Sequence, residues 1–135
     1  MMYKLLIVED EPIVRQGITQ MIPFEEFGFE LVAACENGIQ AQQIIDQSPP
    51  DAMISDICMP DMDGLELCAY VHQKYPHIKT ILLTGYDEFE YARQALTVGV
   101  LDYLLKPITK KQFKALLEKL KVALDREYAE KQKYI

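Results

Sequence analysis

Four short apolar runs in this chain each end at a residue that can carry chemistry. The runs extend from Tyr3 to Val8, Ala52 to Ser55, Thr80 to Leu83 and Tyr103 to Leu105. The residues that follow them are Glu9, Asp10, Glu11, Asp56, Thr84 and Lys106. If the runs are parallel strands, their carboxyl ends share one edge of a sheet, which is where open α/β sheets bind ligands. The pattern therefore predicts one pocket with several carboxylates, a hydroxyl and an ammonium.

Segments with helical spacing separate these runs, and most have a start signal. The candidate first-turn and capping residues are Pro12, Asn37, Asp63 and Thr109, and an apolar stripe of Phe89, Ala92 and Leu96 marks a fourth helix. With Phe29 to Cys35 as a further strand, five strands alternate with five helices, which is typical of a parallel sheet covered on both faces. Right-handed crossovers favour an α/β fold of the flavodoxin-like order 2-1-3-4-5.

The first and last helices carry predictions of their own. One face of the first helix would hold Ile13, Gly17, Ile18 and Met21. The last helix, from Lys110 to near Ile135, would span about 39 Å at 1.5 Å per residue, which is longer than a five-residue strand. A stripe along it consists of Leu117, Leu120, Leu124 and Tyr128. This stripe is consistent with a short coiled-coil stem, and a solvated, frayed helix end is the alternative.

Length and composition limit the class of protein. The chain has 135 residues, of which 50% are hydrophobic, as expected for one globular domain. It has neither a run of about 18 apolar residues for a membrane helix nor a secretory signal, so we expect a cytoplasmic protein without membrane contact. The residues up to Leu105 include 17 acidic and 5 basic side chains, whereas those from Lys106 include 4 and 9. The acidic body argues against a broad nucleic-acid surface.

The predicted acidic pocket favours a divalent cation. Crowding Glu9, Asp10 and Asp56 together is electrostatically costly unless a cation neutralises them. Hard oxygen ligands favour Mg²⁺, which usually binds one or two carboxylates and completes its shell with water and phosphate. We expect Asp10 and Asp56 to be direct ligands and Glu9 to bind through water.

The same pocket is suited to phosphoryl transfer. A carboxylate beside Mg²⁺, with a lysine and a hydroxyl directed at one point, can attack a phosphoryl group and form an aspartyl-phosphate. Asp56 is the predicted nucleophile. Lys106 would balance the charge of the phosphate and Thr84 would donate a hydrogen bond to it. Gly85 would also contact the phosphate and would leave room for the donor.

Four ordered motifs together resemble the receiver domain of two-component response regulators. They are Val8-Glu9-Asp10-Glu11, the stretch from Ser55 to Gly64, Leu83-Thr84-Gly85 and Lys106-Pro107. The resemblance covers about Tyr3 to Leu124. It implies Mg²⁺-dependent phosphorylation of Asp56 by a sensor histidine kinase, with the backbone carbonyl of Cys58 among the metal ligands. It also implies a cis peptide bond at Pro107 and, in place of enzymatic turnover, slow self-catalysed loss of the phosphate.

The resemblance further implies a switch. Tyr103 occupies the family's switch-aromatic position and would work with Thr84 to change the surface of the fourth helix, fifth strand and fifth helix. A homodimer could form through that surface or through the C-terminal helix. Cys58 and Tyr86 occupy positions associated with phosphate lifetime, and a bulky Tyr86 could shield the phosphate from water.

Two further stretches resemble the receivers of AraC-type transcription regulators. They are Gly85 to Ala92 and the connection from Phe24 to Phe29. Regulators of that type carry a separate DNA-binding region. We therefore expect residues 1–124 to form the receiver and residues 125–135 to continue the last helix toward an output domain absent from this sequence, to which any DNA binding would belong.

Two other functions compete with this interpretation. A Mg²⁺-dependent phosphatase of the haloacid dehalogenase type also forms an aspartyl-phosphate, but it needs an acid two residues after the nucleophile, where this chain has Cys58. A calcium-binding module is suggested by Asp61, Asp63 and Gly64, although Met59 occupies the first ligand position of such a loop.

Overall fold

Five parallel strands form one sheet at the centre of the protein. A computed structural model describes residues 2–85, 88, 90, 93–94, 97 and 99–133. The strands are β1 (Tyr3–Val8), β2 (Phe29–Cys35), β3 (Ala52–Asp56), β4 (Lys79–Thr84) and β5 (Asp102–Leu105). Their order across the sheet is β2-β1-β3-β4-β5, as predicted. Because the order reverses at β1, the ends of β1 and β3 flank a crevice.

Four α-helices are fully described. They are α1 (Pro12–Met21), α2 (Gly38–Gln47), α3 (Gly64–Lys74) and the C-terminal helix (Lys110–Gln132), and a short 3₁₀ helix spans Phe24–Phe27. The stripe Phe89, Ala92 and Leu96 that predicts a further helix lies outside the described residues. None of the helices in the described part combines the length and apolar character needed to cross a bilayer.

Side-chain caps set where three of these helices begin. Asn37 accepts a hydrogen bond from the Gln40 amide at 2.7 Å, and Asp63 caps α3 in the same way. Thr109 and Gln112 form a reciprocal capping box at the C-terminal helix. Each cap satisfies amide groups that have no partner within the helix, so the three starts predicted from the sequence are confirmed.

The sheet separates two apolar layers. On one face, Leu6 and Val8 of β1 pack with residues of α2 and α3. On the other face, Leu5 and Ile7 pack with the C-terminal helix and with Ile18 of α1. All five residues of β3 are buried, as expected for a central parallel strand with helices on both sides.

The apolar stripe of α1 is only partly used by the core. Ile18 packs against the sheet, but Ile13 is 85% exposed and Met21 is 58% exposed. A Cβ atom at Gly17 would have no described atom outside the helix within 4 Å. The ten-residue helix contacts the core along a narrower strip than its stripe suggests, so apolar side chains at both ends of the helix remain in water.

The C-terminal helix packs along the sheet as far as Leu124, so most of the stripe that suggested a coiled-coil stem belongs to the domain core. Leu117, Leu120 and Leu124, which suggested a stem, are buried in the domain core, and Tyr128 remains 45% exposed. At the amino edge of the sheet, the Tyr3 hydroxyl donates a hydrogen bond to Asp125 at 2.6 Å, and Lys79 pairs with Glu127. The leucines are therefore buried within the domain, and polar contacts attach the helix to the sheet as far as Glu127.

Candidate functional site

The carboxyl ends of β1 and β3 bring four carboxylates together. Glu9, Asp10 and Glu11 follow β1, and Asp56 is the last residue of β3. One oxygen from each of the four side chains lies within 4.8 Å of the others. Glu9 and Asp56 are buried, whereas Glu11 is exposed. This acid cluster, defined as these four residues, exists because β1 and β3 are neighbours, with Val8 opposite Ser55.

Lys106 inserts its ammonium into the acid cluster. Its Nζ lies 2.8 Å from Glu9 Oε1 and 3.2 Å from Asp56 Oδ1. The Lys106 amide donates to the Thr84 carbonyl at 2.7 Å, and this bond ties the end of β5 to the end of β4. The Lys106–Pro107 peptide bond is cis, which is the isomer that the resemblance implies. One ammonium faces four carboxylates, so the cluster keeps an excess of negative charge.

This excess charge changes the acidity of the buried groups. Burial and then the negative charge of Glu9 raise the pKa of Asp56 to about 7, although Lys106 acts in the opposite direction. Burial tends to lower the pKa of Lys106, but its hydrogen bond to Glu9 and the charge of Asp56 outweigh that effect and raise it. The lysine therefore stays charged, and the cluster favours a further proton or a metal cation.

Asp10 supplies independent evidence for a cation at this position. Within the described part of the chain, its Oδ1 atom is buried and no group donates a hydrogen bond to it. A buried carboxylate oxygen without a partner is costly, and a bound cation removes that cost. Glu9 lies closer to the Lys106 ammonium than Asp56 does, at 2.8 Å against 3.2 Å, so Asp10 and Asp56 are the better candidates for direct ligands. This hard-oxygen donor set fits Mg²⁺.

The loop after β3 holds Asp56 in place through Gly64. A Cβ atom at Gly64 would collide with the carbonyl oxygen of Asp56. The Gly64 amide donates to the Ile57 carbonyl at 2.8 Å, and the Ile57 amide donates to the Leu83 carbonyl at 2.9 Å. The start of α3 therefore packs directly on the backbone of the predicted nucleophile. In the sequence, Gly64 was only part of the motif that carried the resemblance.

Thr84 and Gly85 lie at the end of β4, beside the acid cluster. The buried Thr84 hydroxyl donates to the Gly85 carbonyl at 3.1 Å, and the Gly85 amide donates to Glu88 Oε2 at 3.1 Å. The two groups predicted to contact phosphate are therefore paired within their own turn. Glu88 was missed by the sequence analysis, although an acid three residues after a glycine has the spacing of a side-chain cap.

The other predicted site residues lie at or around this edge. Cys58 is exposed at this edge. The little desolvation that its thiol experiences, followed by the negative charges of Glu88 and Asp56, raises the pKa of the thiol. Tyr103 is half-buried, lies opposite Leu82 in the sheet and packs against the layer that contains α2 and α3. Tyr86 lies outside the described residues.

Arg15 is a second contributor that the sequence analysis did not identify. Its guanidinium donates to the Glu9 carbonyl at 2.6 Å. This bond connects α1 to the end of β1 at the position where the acids begin. An arginine on the polar side of an amphipathic helix gives no sequence signal that separates this contact from simple solvent exposure.

The calcium-loop alternative has no support in this geometry. Asp63 uses its carboxylate to cap α3, and Asp61 adopts a left-handed backbone with φ of 69°. The metal-competent group found among the described residues is the acid cluster, not these loop acids.

An apolar groove opens next to Lys106 and Glu11. It has a volume of about 490 Å³ and lies between α1 and the start of the C-terminal helix. Its apolar lining includes Val14, Ile18, Met21, Pro107, Ile108 and Phe113. The groove places an apolar surface directly beside the charged cluster.

Comparison with known proteins identifies the family. The sequence matches the family model described as the response regulator receiver domain over residues 5–118. The chain belongs to this family. The prediction made from the four motifs is therefore confirmed, and the strand order agrees with the receiver fold.

Several receivers and regulators are similar to this chain. The transcriptional regulatory protein YesN of Bacillus subtilis is 39% identical over 132 residues, which cover 98% of this chain and 36% of YesN. The transcriptional regulatory protein HptR of Staphylococcus aureus is 35% identical over 119 residues, which cover 88% of this chain and 46% of HptR. This receiver thus spans less than half the length of these curated relatives.

Solved structures give the same result at the level of the fold. The receiver domain of AraT, a response regulator from Geobacillus stearothermophilus, superposes with a TM-score of 0.90 at 41% identity and covers 95% of this chain and 99% of that one. The two-component transcriptional regulator AraC from Clostridium phytofermentans gives a TM-score of 0.87 at 30% identity, with 94% and 98% coverage. The predicted likeness to receivers of AraC-type regulators is confirmed by these neighbours.

Proposed function

We propose that this receiver accepts a phosphoryl group on Asp56 from a sensor histidine kinase in a Mg²⁺-dependent reaction, and that the modification controls a transcriptional output domain. The supporting observation is the position of the Asp56 carboxylate, which lies 3.2 Å from Lys106 Nζ and within the cluster that holds the unpaired Asp10 oxygen. The proposed nucleophile, the lysine ammonium that would balance the phosphate and the candidate metal ligands therefore lie at one edge of the sheet.

The transfer uses groups of this chain in separate roles. An Asp56 oxygen forms a bond to phosphorus while the nitrogen–phosphorus bond of phosphohistidine breaks, and the leaving imidazole nitrogen takes up a proton. Lys106 would balance the negative charge of the incoming phosphoryl group, because its ammonium already contacts the Asp56 carboxylate. Asp10 and Asp56, with Glu9 through water and the Cys58 carbonyl, would hold Mg²⁺. The bound metal would neutralise phosphoryl oxygens.

The groove beside the acid cluster supports a protein as the phosphoryl donor. A kinase must bring its phosphohistidine to Asp56, so its surface must cover the residues next to the cluster. The groove along α1 begins at Glu11 and Lys106, which also belong to the charged site or contact it. Docking there would remove the exposed side chain of Met21, which lines the groove, from water.

Tyr103 and Thr84 form the proposed switch. When the Thr84 hydroxyl turns from the Gly85 carbonyl to the phosphate, it vacates space that the ring of Tyr103 can fill. The receiver then changes its surface around β5 and the helices that flank it. Tyr103→Ala is expected to keep Asp56 phosphorylation and to weaken the coupled surface change, measured as amide chemical-shift changes on phosphorylation. Equal loss of both would contradict the switch.

The output and the lifetime of the signal belong to the same proposal. Relatives that extend beyond the receiver are named as transcriptional regulatory proteins, which supports a transcriptional output, with DNA binding by a separate domain. In the receiver, a homodimer would form through the switch surface or the C-terminal helix. Slow self-dephosphorylation would end the signal, with Cys58 and Tyr86 setting its rate by controlling the access of water to the phosphate.

Intact-mass measurement tests the proposal directly. Incubation with Mg²⁺ and acetyl phosphate is expected to add one phosphoryl group to the wild type and none to Asp56→Asn. Asp61→Asn is the matched control, because it makes the same change at an exposed position of the following loop where asparagine also tolerates a left-handed backbone. Labelling of Asp56→Asn, or labelling without Mg²⁺, would contradict the assignment.

A further inference from the structure

In the described part of the turn after β4, three hydrogen-bond donors are paired within the turn itself. The Thr84 hydroxyl and the Glu88 amide both donate to the Gly85 carbonyl, at 3.1 Å and 3.2 Å. The Gly85 amide donates to the Glu88 carboxylate at 3.1 Å. A phosphoryl group at Asp56 would need donors for its oxygens at this end of β4. The three described donors become available when these contacts open.

The carboxylate of Glu88 covers the backbone donor at the carboxyl end of β4. A Cβ atom at Gly85 would lie 2.7 Å from Glu88 Oε2, so the carboxylate rests directly on the glycine. An anion paired with a backbone amide forms a charge-assisted hydrogen bond, which is stronger than a neutral one. Glu88 also adds negative charge near Cys58, two residues from Asp56. Both effects oppose the arrival of a phosphoryl anion.

We propose that Glu88 is an internal competitor of the phosphoryl group, because its carboxylate occupies the Gly85 amide in the unphosphorylated receiver and must leave when Asp56 is phosphorylated. The inference rests on the proposed function and deepens it. Displacement of Glu88 opens the turn that leads into the segment after β4. The same event that frees the amide therefore also releases the Glu88 side chain from the end of β4.

Two variants of Glu88 separate the effect of its hydrogen bond from the effect of its charge, and a third variant serves as the control. Glu88→Ala removes both, and Glu88→Gln removes the charge but keeps an oxygen that can accept from the amide. Glu90→Gln is the matched control, since Glu90 lies two residues away, is 80% exposed and pairs with Arg93. With acetyl phosphate and Mg²⁺, we expect Glu88→Ala to be labelled about threefold to tenfold faster than wild type. Glu88→Gln should show a smaller gain and Glu90→Gln no change.

An amide spectrum without metal or phosphate gives a second, independent readout. The Gly85 amide proton should move upfield in Glu88→Ala, remain near its wild-type position in Glu88→Gln, and be unaffected in Glu90→Gln. Equal labelling rates for Glu88→Ala and Glu90→Gln, or slower labelling of Glu88→Ala, would overturn the inference while leaving the proposed function intact. If the wild type is not labelled, the proposed function itself fails, and the amide shifts still test the contact.

Discussion

At the scale of single residues, Asp56 makes the metal-free protein sensitive to pH. Its pKa is raised to about 7 in the folded chain, from an ordinary value of 3.8. Between these two values the folded state binds a proton that the unfolded state has lost, so the free energy of unfolding falls as the pH rises. Above about pH 7 the penalty is complete, because the buried carboxylate is then ionised beside Glu9.

Asp56→Asn removes this titration. We expect the variant to match the wild type near pH 4 and to be more stable by about 1–3 kcal/mol near pH 8, measured by urea unfolding with EDTA present. Addition of Mg²⁺ should narrow the difference at pH 8, because the variant lacks one charged ligand and the metal stabilises the wild-type cluster more. A constant difference across this pH range would show that Asp56 is not the responsible group.

The meeting of the acids was predictable from the sequence, whereas their immediate partners were not. Asp10 and Asp56 each end an apolar run, and parallel strands bring such ends to one edge whatever the intervening chain does. Glu88 and Arg15 act through backbone atoms of Gly85 and Glu9. Contacts of this kind depend on the path of individual turns, which residue type and spacing do not specify.

At the scale of secondary-structure elements, the packing of α3 on the end of β3 sets the position of Asp56. Gly64→Ala would drive a methyl group into the Asp56 carbonyl oxygen. The atoms that the methyl group would meet belong to the backbone of Asp56 and Ile57, so they have little room to move away. We expect a loss of about 2–4 kcal/mol in the free energy of unfolding and slower labelling of Asp56. Thermal and urea unfolding, together with intact mass, would measure both effects.

Gly17→Ala is the control for the glycine change itself. Gly17 lies inside α1, where an added methyl group meets no described atom within 4 Å outside the helix. The same substitution should therefore increase stability by about 0.5–1 kcal/mol, since alanine loses less backbone entropy in a helix. If both variants lose equal stability, the close approach of Gly64 to Asp56 is not the cause.

Helix starts were also more predictable than helix surroundings. Asn37, Asp63 and Thr109 act on amides a few residues away, so the sequence alone contains the whole interaction. The exposure of Ile13 and the burial of Leu124 depend instead on how far each helix lies from the sheet. Amphipathic spacing identifies an apolar face but not the width of the contact that covers it.

At the scale of the whole molecule, the C-terminal helix spans the sheet from its carboxyl edge to its amino edge. The Tyr3 hydroxyl and Asp125 join the first strand to this helix at the end remote from the acid cluster. Tyr3→Phe removes one hydrogen bond and leaves the ring in its packed position. We expect a loss of about 0.5–1.5 kcal/mol in unfolding free energy and an unchanged rate of Asp56 labelling.

Tyr128→Phe is the matched control, because it removes the same hydroxyl from a ring that is 45% exposed on the same helix. It should leave the free energy of unfolding within about 0.5 kcal/mol of the wild type. A labelling defect in Tyr3→Phe would mean that the two edges of the sheet are energetically coupled.

The course of the C-terminal helix has a practical consequence for protein engineering. Because the C-terminal helix continues to Gln132, beyond its contacts at the amino edge, a fluorescent reporter or an unrelated effector grafted there would lie across the molecule from the acid cluster. Modules could then be exchanged at that junction without rebuilding the phosphoacceptor chemistry, provided that the graft preserves the contacts of Asp125 and Glu127 that hold the helix down.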